Sequence, residues 1–230
     1  MSHTVKRKLP DIEMPAEFST HTIGAINRIE ERPNVMGIMY FRNGFLQLTT
    51  VPETLSHILT SKLPPMTSAF RRAISEIDVL DELLAFRIET NSMEIIVTGN
   101  TKNQAMKIIS NLLKNFHDEW LVRTTASLNE INPIVDRIME DESVEGVIMT
   151  NQEGEPILTN INLMNATNYG IAMRRLGAIT QASIKDLDPF DEVLILRVTT
   201  KKLEIMTAPH SEFNVIVMQH SRIKSKHKNK

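Results

Sequence analysis

The most informative stretch of this sequence, residues 186–209, reads DLDPFDEVLILRVTTKKLEIMTAP. Asp188-Pro189 marks the end of a helix, because proline disfavours α geometry at the residue before it. Three β-capable segments follow: Glu192–Thr199, Leu203–Ala208 and Phe213–Gln219. They are joined by short turns, and short connections imply antiparallel pairing. The stretch therefore predicts a helix that leads into an antiparallel sheet, an α+β arrangement.

The elements upstream of this stretch complete the pattern. Residues 165–185 have the apolar spacing of a long helix, and residues 131–140 carry a shorter helical stripe. Between them, Val144–Thr150 and Glu155–Thr159 read as two strands around a turn that ends at Gly154. Glycine suits such a turn because it adopts positive φ without steric cost. The predicted order is α-β-β-α-β-β-β.

A second version of this pattern lies in the first part of the chain. Residues 76–99 read EIDVLDELLAFRIETNSMEIIVTG, in which Asp81 corresponds to Asp191. Gly37 likewise corresponds to Gly146. The spacing in sequence between these glycines is one residue shorter than that between the two aspartates, because the second copy has one extra residue in the turn before Gly154. An internal repeat of this kind determines how the fold of the whole chain is interpreted. We therefore predict a duplication and two tandem domains.

The first copy departs from the second in two places. Pro64-Pro65 falls inside its long helix, where each interior proline costs about 3 kcal/mol or more, so we expect that helix to be split or kinked. Where the second copy has its last strand, the first copy has residues 103–118. Their apolar positions, such as Ala105, Ile108 and Ile109, have helical spacing, which predicts a helix that leads into a linker.

The second copy, from about residue 131 to residue 219, resembles the roadblock family of dynein light chains. The match is to the family's D-x-D-P-x-D start, its L-R-x-x-[ST]-K-K-x-E-I-M core and its A-P ending, all within residues 186–209. The Gly146-Val147-Ile148 strand and the turn at residues 151–157 add to it. The first copy keeps fewer of these positions, namely Asp78, Asp81, Arg87, Glu94 and Ile95, and it has Val79, Asn91-Ser92 and Gly99 where the family has proline, paired lysines and proline.

The resemblance implies an architecture and a set of boundaries. Each domain would be a five-stranded antiparallel sheet between two helices, with a dimer formed through the long helix and an edge strand. The predicted segments are a flexible tail at 1–18, a degenerate domain at 19–118, a linker at 119–127, an intact domain at 128–220 and a basic tail at 221–230. The expected dimer or partner interface comprises Ile171, Arg175, Ala178, Ile179, Ala182, Val193, Ile195 and Arg197.

The resemblance also implies a function. Members of the family are accessory subunits that bind a dynein intermediate chain and help attach cargo, or scaffolds that engage small GTPases. Neither role uses catalytic residues. We expect the first role, with the GTPase scaffold as the alternative. The expected partners are an intermediate chain and another roadblock light chain, and the two copies could also pair within one molecule, because a linker gives a high effective concentration.

The sequence contains no motif typical of catalysis, metal binding or cofactor binding. The seven histidines are scattered and there is no cysteine, so no zinc site is predicted. Asp186, Asp188 and Asp191 could suggest calcium, but an EF-hand loop that starts at Asp186 would need Gly at 191 and Glu at 197. Turn carboxylates are the better interpretation. Phosphate-binding glycine motifs are missing as well. We expect a non-enzymatic protein with no cofactor.

Composition bounds the location and the partners. A net charge of −2 and a pI near 6.4 disfavour a nucleic-acid partner. The polar N-terminus, the lack of cysteine and the lack of an apolar run of about 18 residues predict a soluble cytoplasmic protein with no membrane insertion. The resemblance adds association with the cytoskeleton. The basic residues after His220 fit a solvated tail or contact with an acidic surface. The thirteen methionines fit core filling or an adaptable interface.

Overall fold

The computed structural model describes residues 13–99, 103–110, 137–209 and 213–221. Within them, residues 137–139 are helical. The other helices are α1 (Thr20–Glu30), α2 (Glu53–Ile77) and α3 (Leu163–Leu187). The strands are β1 (Val35–Arg42), β2 (Phe45–Thr49), β3 (Leu83–Thr90), β4 (Met93–Gly99), β5 (Asn103–Ser110), β6 (Val144–Thr150), β7 (Pro156–Thr159), β8 (Val193–Thr200), β9 (Leu203–Pro209) and β10 (Asn214–His220).

All ten strands belong to one antiparallel sheet, in the order β2-β1-β5-β4-β3-β8-β9-β10-β6-β7. We call residues 13–110 the first half and residues 137–221 the second half. The order within the first half is mirrored in the second, and β3 pairs with β8 at the centre. The predicted α+β class and the antiparallel sheet are therefore confirmed.

A single apolar core runs through both halves. In the first half Phe70 of α2 stacks on Phe86 of β3, with ring centroids 4.2 Å apart. In the second half Met173 and Leu176 of α3 are buried in the same core. The helices α2 and α3 also pack against each other. The core is thus continuous across the β3–β8 pair, and each half completes the hydrophobic packing of the other.

The opposite face of the sheet carries the shorter helices. In the second half Val147 and Met149 alternate with Ile148 along β6, so they point away from the core that contains Ile148. Ile138 and Met139 pack against them. Residues 137–139 therefore cover β6 on this face of the sheet.

Glycines in the first strand of each half are explained by a close approach of the chain. A Cβ on Gly37 would lie 2.8 Å from the backbone nitrogen of Val51. A Cβ on Gly146 would lie 2.5 Å from Cγ2 of Ile161. In both halves the residue two positions after the second strand crosses the first strand here. Because any larger side chain would collide, both copies carry glycine.

The prediction of a helix over residues 103–118 was wrong for the part that the structure describes. Residues 103–110 form β5, which pairs with β1 on one side and β4 on the other. Gln104, Met106 and Ile108 are buried with the period of two that a strand requires, but Gln104 is polar. Ile109, buried as well, added an apolar position that mimicked helical spacing. Pairing with two neighbours therefore overrides the local pattern.

Of the split or kink predicted at the prolines of α2, the split was wrong, because the helix runs without a break from Glu53 to Ile77. Pro64 and Pro65 leave the carbonyls of Thr60 and Ser61 without helical donors. Ser61 is exposed and Thr60 half-buried, so water can reach these groups. Burial of Leu59, Leu63, Met66 and Phe70 on the other face offsets the cost.

Some predicted segments lie outside the described residues. These are the linker at 119–127, the start of the helical stripe at 131–136, the tail up to residue 12 and the basic tail after residue 221. Among the helices that the structure describes, no segment is both long enough and apolar enough to cross a membrane.

Candidate functional site: the junction between the halves

The centre of the junction is the antiparallel pair β3–β8. Phe86 lies opposite Val198, and Ile88 lies opposite Leu196, with all four side chains buried. The intervening pair on the other face is Arg87 and Arg197. Each arginine is neutralised within its own half: Arg87 Nε lies 2.7 Å from Glu94 Oε1, and Arg197 Nη1 lies 3.2 Å from Glu204 Oε1.

Two ion pairs join the long helices across the junction. Arg175 Nη1 of α3 lies 3.4 Å from Glu76 Oε2 near the end of α2. Lys62 Nζ of α2 lies 2.5 Å from Asp186 Oδ2 near the end of α3. The C-terminal end of each helix therefore lies beside the middle of the other. All four side chains are well exposed, so each pair contributes at most about 1 kcal/mol and mainly fixes alignment.

At one end of the strand pair, Asp191 binds the turn between β3 and β4. Its Oδ2 accepts hydrogen bonds from Thr90 Oγ1 at 2.6 Å and Ser92 Oγ at 2.5 Å, and its Oδ1 accepts one from the backbone amide of Ser92 at 3.3 Å. The Asp191 side chain is buried, and Thr90 is buried as well. A carboxylate from the second half thus caps a hairpin of the first half. We call this the Asp191 clasp.

At the other end, Asp81 binds the turn between β8 and β9 in the same way. Its Oδ2 accepts a hydrogen bond from Thr200 Oγ1 at 2.6 Å, and its Oδ1 accepts one from the backbone amide of Lys202 at 3.3 Å. In the repeat, Asp81 corresponds to Asp191, and the turn residues Thr200 and Lys202 correspond to Thr90 and Ser92. This Asp81 clasp is therefore the reciprocal of the first, and the junction has an approximate two-fold arrangement.

The two clasps differ in charge. At the Asp81 clasp, Lys202 Nζ lies 2.5 Å from Asp78 Oδ2, and Lys201 pairs with Glu82. At the Asp191 clasp the positions of the two lysines are taken by Asn91 and Ser92. The hydrogen bond from Lys202, followed by that from the backbone amide of Leu80, lowers the pKa of Asp78 below its ordinary 3.8. The charged form of Asp78 is therefore favoured in the folded chain.

Tyr169 of α3 lies close to the same charged end. Burial, with smaller contributions from the negative charges of Asp81, Asp78 and Glu145, raises the pKa of its hydroxyl to about 12. The hydroxyl therefore stays protonated at any physiological pH. It is available only as a neutral hydrogen-bonding group.

The structure brings some of the predicted interface residues to the junction. Val193, Ile195 and Arg197 lie on β8, opposite Thr90, Glu89 and Arg87 of β3, so β8 is a central strand of the combined sheet. Arg175 reaches Glu76 of α2. Ile179 is half-buried against the core, whereas Ile171, Ala178 and Ala182 are exposed on α3.

The clasps were not predicted from the sequence, where Asp186, Asp188 and Asp191 were interpreted together as helix-end and turn carboxylates. One pattern in the sequence could have indicated them. Both copies have an aspartate after the long helix and a Thr-x-[Ser/Lys] turn after the next strand, and each motif is repeated with the same offset. Nothing in one sequence shows that the aspartate of one copy meets the turn of the other.

The polar side chains of the junction serve recognition between the two halves. Asp81 and Asp191 have their oxygens engaged by hydroxyl and amide donors, and Glu94 and Glu204 are paired with arginines. These carboxylates therefore serve as acceptors that align the two halves. No protein-family model matches this chain.

Proposed function

We propose that this chain is a non-catalytic accessory light chain of a dynein motor complex, which binds an intermediate chain and helps attach cargo. In this proposal the two halves are roadblock-type domains in tandem, and they pair with each other as two separate light chains would. The protein would then act in the cytoplasm on the cytoskeleton.

The observation that carries the proposal is the position of the family-like residues. The stretch at 186–209, on which the resemblance rests, forms the β8–β9 hairpin and its approach from α3. Asp191, Thr200 and Lys202 of this stretch all make contacts across the junction. A motif that serves pairing between copies is what a family of paired light chains would need.

The mirrored strand order gives further support. Both halves run helix, two strands, long helix and three strands, and they meet through β3, β8 and the two long helices. A dimer through the long helix and a strand is the arrangement that the resemblance implies. Here both partners come from one chain, so no second subunit is needed to complete the sheet.

The exposed face of α3 is the surface we assign to the intermediate chain. Ile171, Ala178 and Ala182 lie there, exposed, at spacings that place them along one side of the helix. Ala178 and Ala182 have no side chain beyond Cβ, which lets another backbone approach closely.

The test is binding of purified dynein intermediate chain to the full chain, measured by isothermal titration calorimetry. We expect Ala178→Glu to weaken binding at least about tenfold, because it puts a charge into a close contact. Thr98→Glu, on an exposed part of β4, is the matched control and should bind as the original does.

Two results would count against the assignment. Absence of binding by the unaltered chain would remove the dynein role. Saturable binding of a Ras-like GTPase in place of the intermediate chain would favour the alternative role, that of a GTPase scaffold.

A further inference from the structure

The first half has a groove at a place where the second half is closed. The groove has a volume of about 470 Å³ and lies between the edge strand β2 and the first turns of α2. At the equivalent place in the second half the β6–β7 turn touches α3, because the ideal Cβ position of Gly154 lies 3.1 Å from Cα of Ile171. The volume falls in the range of ligand-binding clefts. We call this space the β2–α2 groove.

Two backbone acceptors lie on the α2 side of the groove. Thr60 and Ser61 line it, and their carbonyls lack helical donors because Pro64 and Pro65 stand four residues later. In α3 the equivalents of these prolines are arginines, at positions 174–175, which keep their amide hydrogens. The first half therefore offers hydrogen-bond acceptors that the second half uses within its own helix.

A carboxylate lies where the groove reaches the start of α2. Glu53 lines the groove and is exposed. The positive end of the helix stabilises this carboxylate, but within residues 13–110 no described lysine or arginine forms an ion pair with it. The lining also includes His57 and the apolar residues Leu46 and Val51, but no described lysine or arginine. The groove therefore suits a segment that carries cationic and apolar side chains together.

The chain enters the first half beside this groove. Phe18 packs edge-on against Tyr40, with ring centroids 4.7 Å apart. Glu17 Oε1 lies 3.5 Å from Nη1 of Arg42, the last residue of β1. The residues before α1 are thus held at the β1–β2 turn. That turn is the end of the groove opposite the start of α2.

The residues that precede this point have the composition that the groove suits. Residues 1–12 read MSHTVKRKLPDI, in which a basic run, Lys6 to Lys8, is followed directly by Leu9 and Pro10. A proline fits an extended segment that needs no amide donor at that position. We call residues 1–12 the N-terminal segment.

The N-terminal segment is long enough to span the groove. Lys8 precedes Glu17 by nine residues, which cover about 30 Å when extended. The five residues of β2 cover about 17 Å. The chain can therefore cross the edge of the sheet at the turn, run antiparallel to β2 and bring Lys8 to Glu53.

Other parts of the same chain fit less well. The basic residues after Ser221 follow β10, which is seven strand spacings, or about 34 Å, from β2. Residues 222–230 cover only about 30 Å when extended, so they do not reach the groove. Residues 111–136 hold four acidic residues and two basic ones, which is the wrong balance for a groove lined by a carboxylate and carbonyls.

We propose that the N-terminal segment lies in the β2–α2 groove of its own chain, with the basic run at Glu53 and Leu9 against the apolar wall. It fills the space that the β6–β7 turn fills in the second half. Its amide and ammonium groups are donors for the carbonyls that the two prolines leave without helical partners. The proposal is independent of the dynein role, because it concerns the outer end of the first half alone.

The experiment treats the full chain, at a concentration where it is monomeric, with a carbodiimide, which joins an ammonium to a carboxylate in direct contact. Peptide mapping by mass spectrometry then identifies the linked residues. We expect a link from Glu53 to Lys6 or Lys8 within a monomer. Glu53→Gln should abolish it. The matched control is Glu153→Gln, which changes an exposed glutamate in the outer turn of the second half and should leave the link unchanged.

A second measurement uses the unlinked protein. Trypsin cleaves after Lys8 when that residue leaves the groove, so the cleavage rate follows the population of the released segment. An exposed ion pair shifts such a population only modestly, so we expect Glu53→Gln to raise the rate about three- to fivefold. Glu153→Gln should not change the rate. Circular dichroism checks that both variants are folded.

Reversal of the charges provides a rescue. Glu53→Lys should lose the link to the N-terminal segment. Adding Lys6→Glu, Arg7→Glu and Lys8→Glu to it should restore a link between the same two sites, with the ammonium and the carboxylate exchanged. A role of Glu53 in the stability of α2 alone would not produce this rescue.

Several results would overturn the proposal. They are the absence of a link in the original chain, equal linkage of the basic run to Glu153, and equal trypsin rates in Glu53→Gln and its control. A link that forms only between two chains would assign the groove to a second copy. A link from Glu53 to Lys114 in place of the basic run would assign it to residues 111–136.

Discussion

The two halves of this chain share a strand order but treat their outer hairpins differently. In the second half the β6–β7 turn rests on α3, where a Cβ on Gly170 would lie 2.2 Å from the carbonyl oxygen of Gly154. In the first half Thr60 stands in place of Gly170, and Gly44 has no such neighbour within 4 Å of its Cβ position. A groove of about 470 Å³ lies there instead, lined by Leu46, Thr49, Val51, Glu53, Ser56, His57, Thr60 and Ser61.

The comparison extends to the junction, where the same aspartates serve with different surroundings. Asp191 is buried, and its carboxylate accepts hydrogen bonds from hydroxyl and amide donors of the other half and from the backbone amide of Glu192. Asp81 is half-buried and has two lysines beside it. The first half lacks the paired lysines and has prolines inside its long helix, but it keeps all five strands. The aspartates and the turn threonines are present in both, which indicates that the clasps are what the arrangement depends on.

One of the two largest effects is expected from filling the space beside Gly170 in the second half. Gly170→Ala places a methyl group against the Gly154 carbonyl and within 2.9 Å of Thr150 Cγ2, so the hairpin must shift. We expect a loss of about 2–3 kcal/mol in the free energy of unfolding. Thr60→Ala, the matched change in the open first half, should stay within about 0.5 kcal/mol. Urea denaturation measures both, and similar losses would erase the contrast between the halves.

The two clasps should differ in a second comparison. Asp191→Ala removes an acceptor from the buried Thr90 hydroxyl and from both donors of Ser92, and we expect it to cost about 2–3 kcal/mol. Asp81→Ala removes hydrogen bonds from a half-buried site and should cost about 1–2 kcal/mol. Thermal unfolding of the two variants side by side measures the ranking. A larger loss for Asp81→Ala would reverse our interpretation of which clasp holds more tightly.

The smallest effect concerns the charge at the Asp81 clasp. The pKa of Asp78 is lowered in the folded chain, so this carboxylate stabilises the fold above its ordinary value of 3.8 and loses that effect as the pH falls below it. Lys202→Met should therefore lower Tm slightly at neutral pH, and the difference from the original chain should shrink as the medium becomes more acidic than pH 3.8. In an Asp78→Asn background the same change should have little pH dependence. A Tm difference that grows with acidity would contradict a stabilising contact between Lys202 and the Asp78 carboxylate.

The sequence predicted the repeated elements because their signals are local. Apolar periods, the Asp188-Pro189 stop and the repeated glycines all act within one copy. The strand β5 was not predicted, because Gln104 interrupts the apolar pattern of its buried face and Ile109 adds an apolar position with helical spacing. The unbroken helix α2 was not predicted either, because the packing that offsets its two prolines comes from residues distant in the sequence.

The junction could be anticipated only in outline. Val193, Ile195, Arg197 and Arg175 were expected at an interface from the resemblance, and they do lie where the halves meet. The clasps could not be foreseen, because Asp191 and Thr90 are 101 residues apart and their contact depends on how two complete sheets align.

The most direct test of the central claim, that the halves pair through β3 and β8 within one molecule, uses a disulfide. The chain has no cysteine, and Ala85 lies opposite Thr199. Directly opposed residues of an antiparallel pair have Cα atoms about 4.5–5.5 Å apart, within reach of a disulfide. Ala85→Cys with Thr199→Cys is therefore the test pair. Thr98→Cys with Thr199→Cys is the control, because Thr98 lies one strand further away, opposite Ala85 on β4.

Mild oxidation followed by intact-mass analysis and non-reducing electrophoresis gives the answer. We predict that the test pair forms a disulfide within a monomer, while the control pair stays reduced. A disulfide that forms only between two chains, or equal reaction of the control pair, would contradict it.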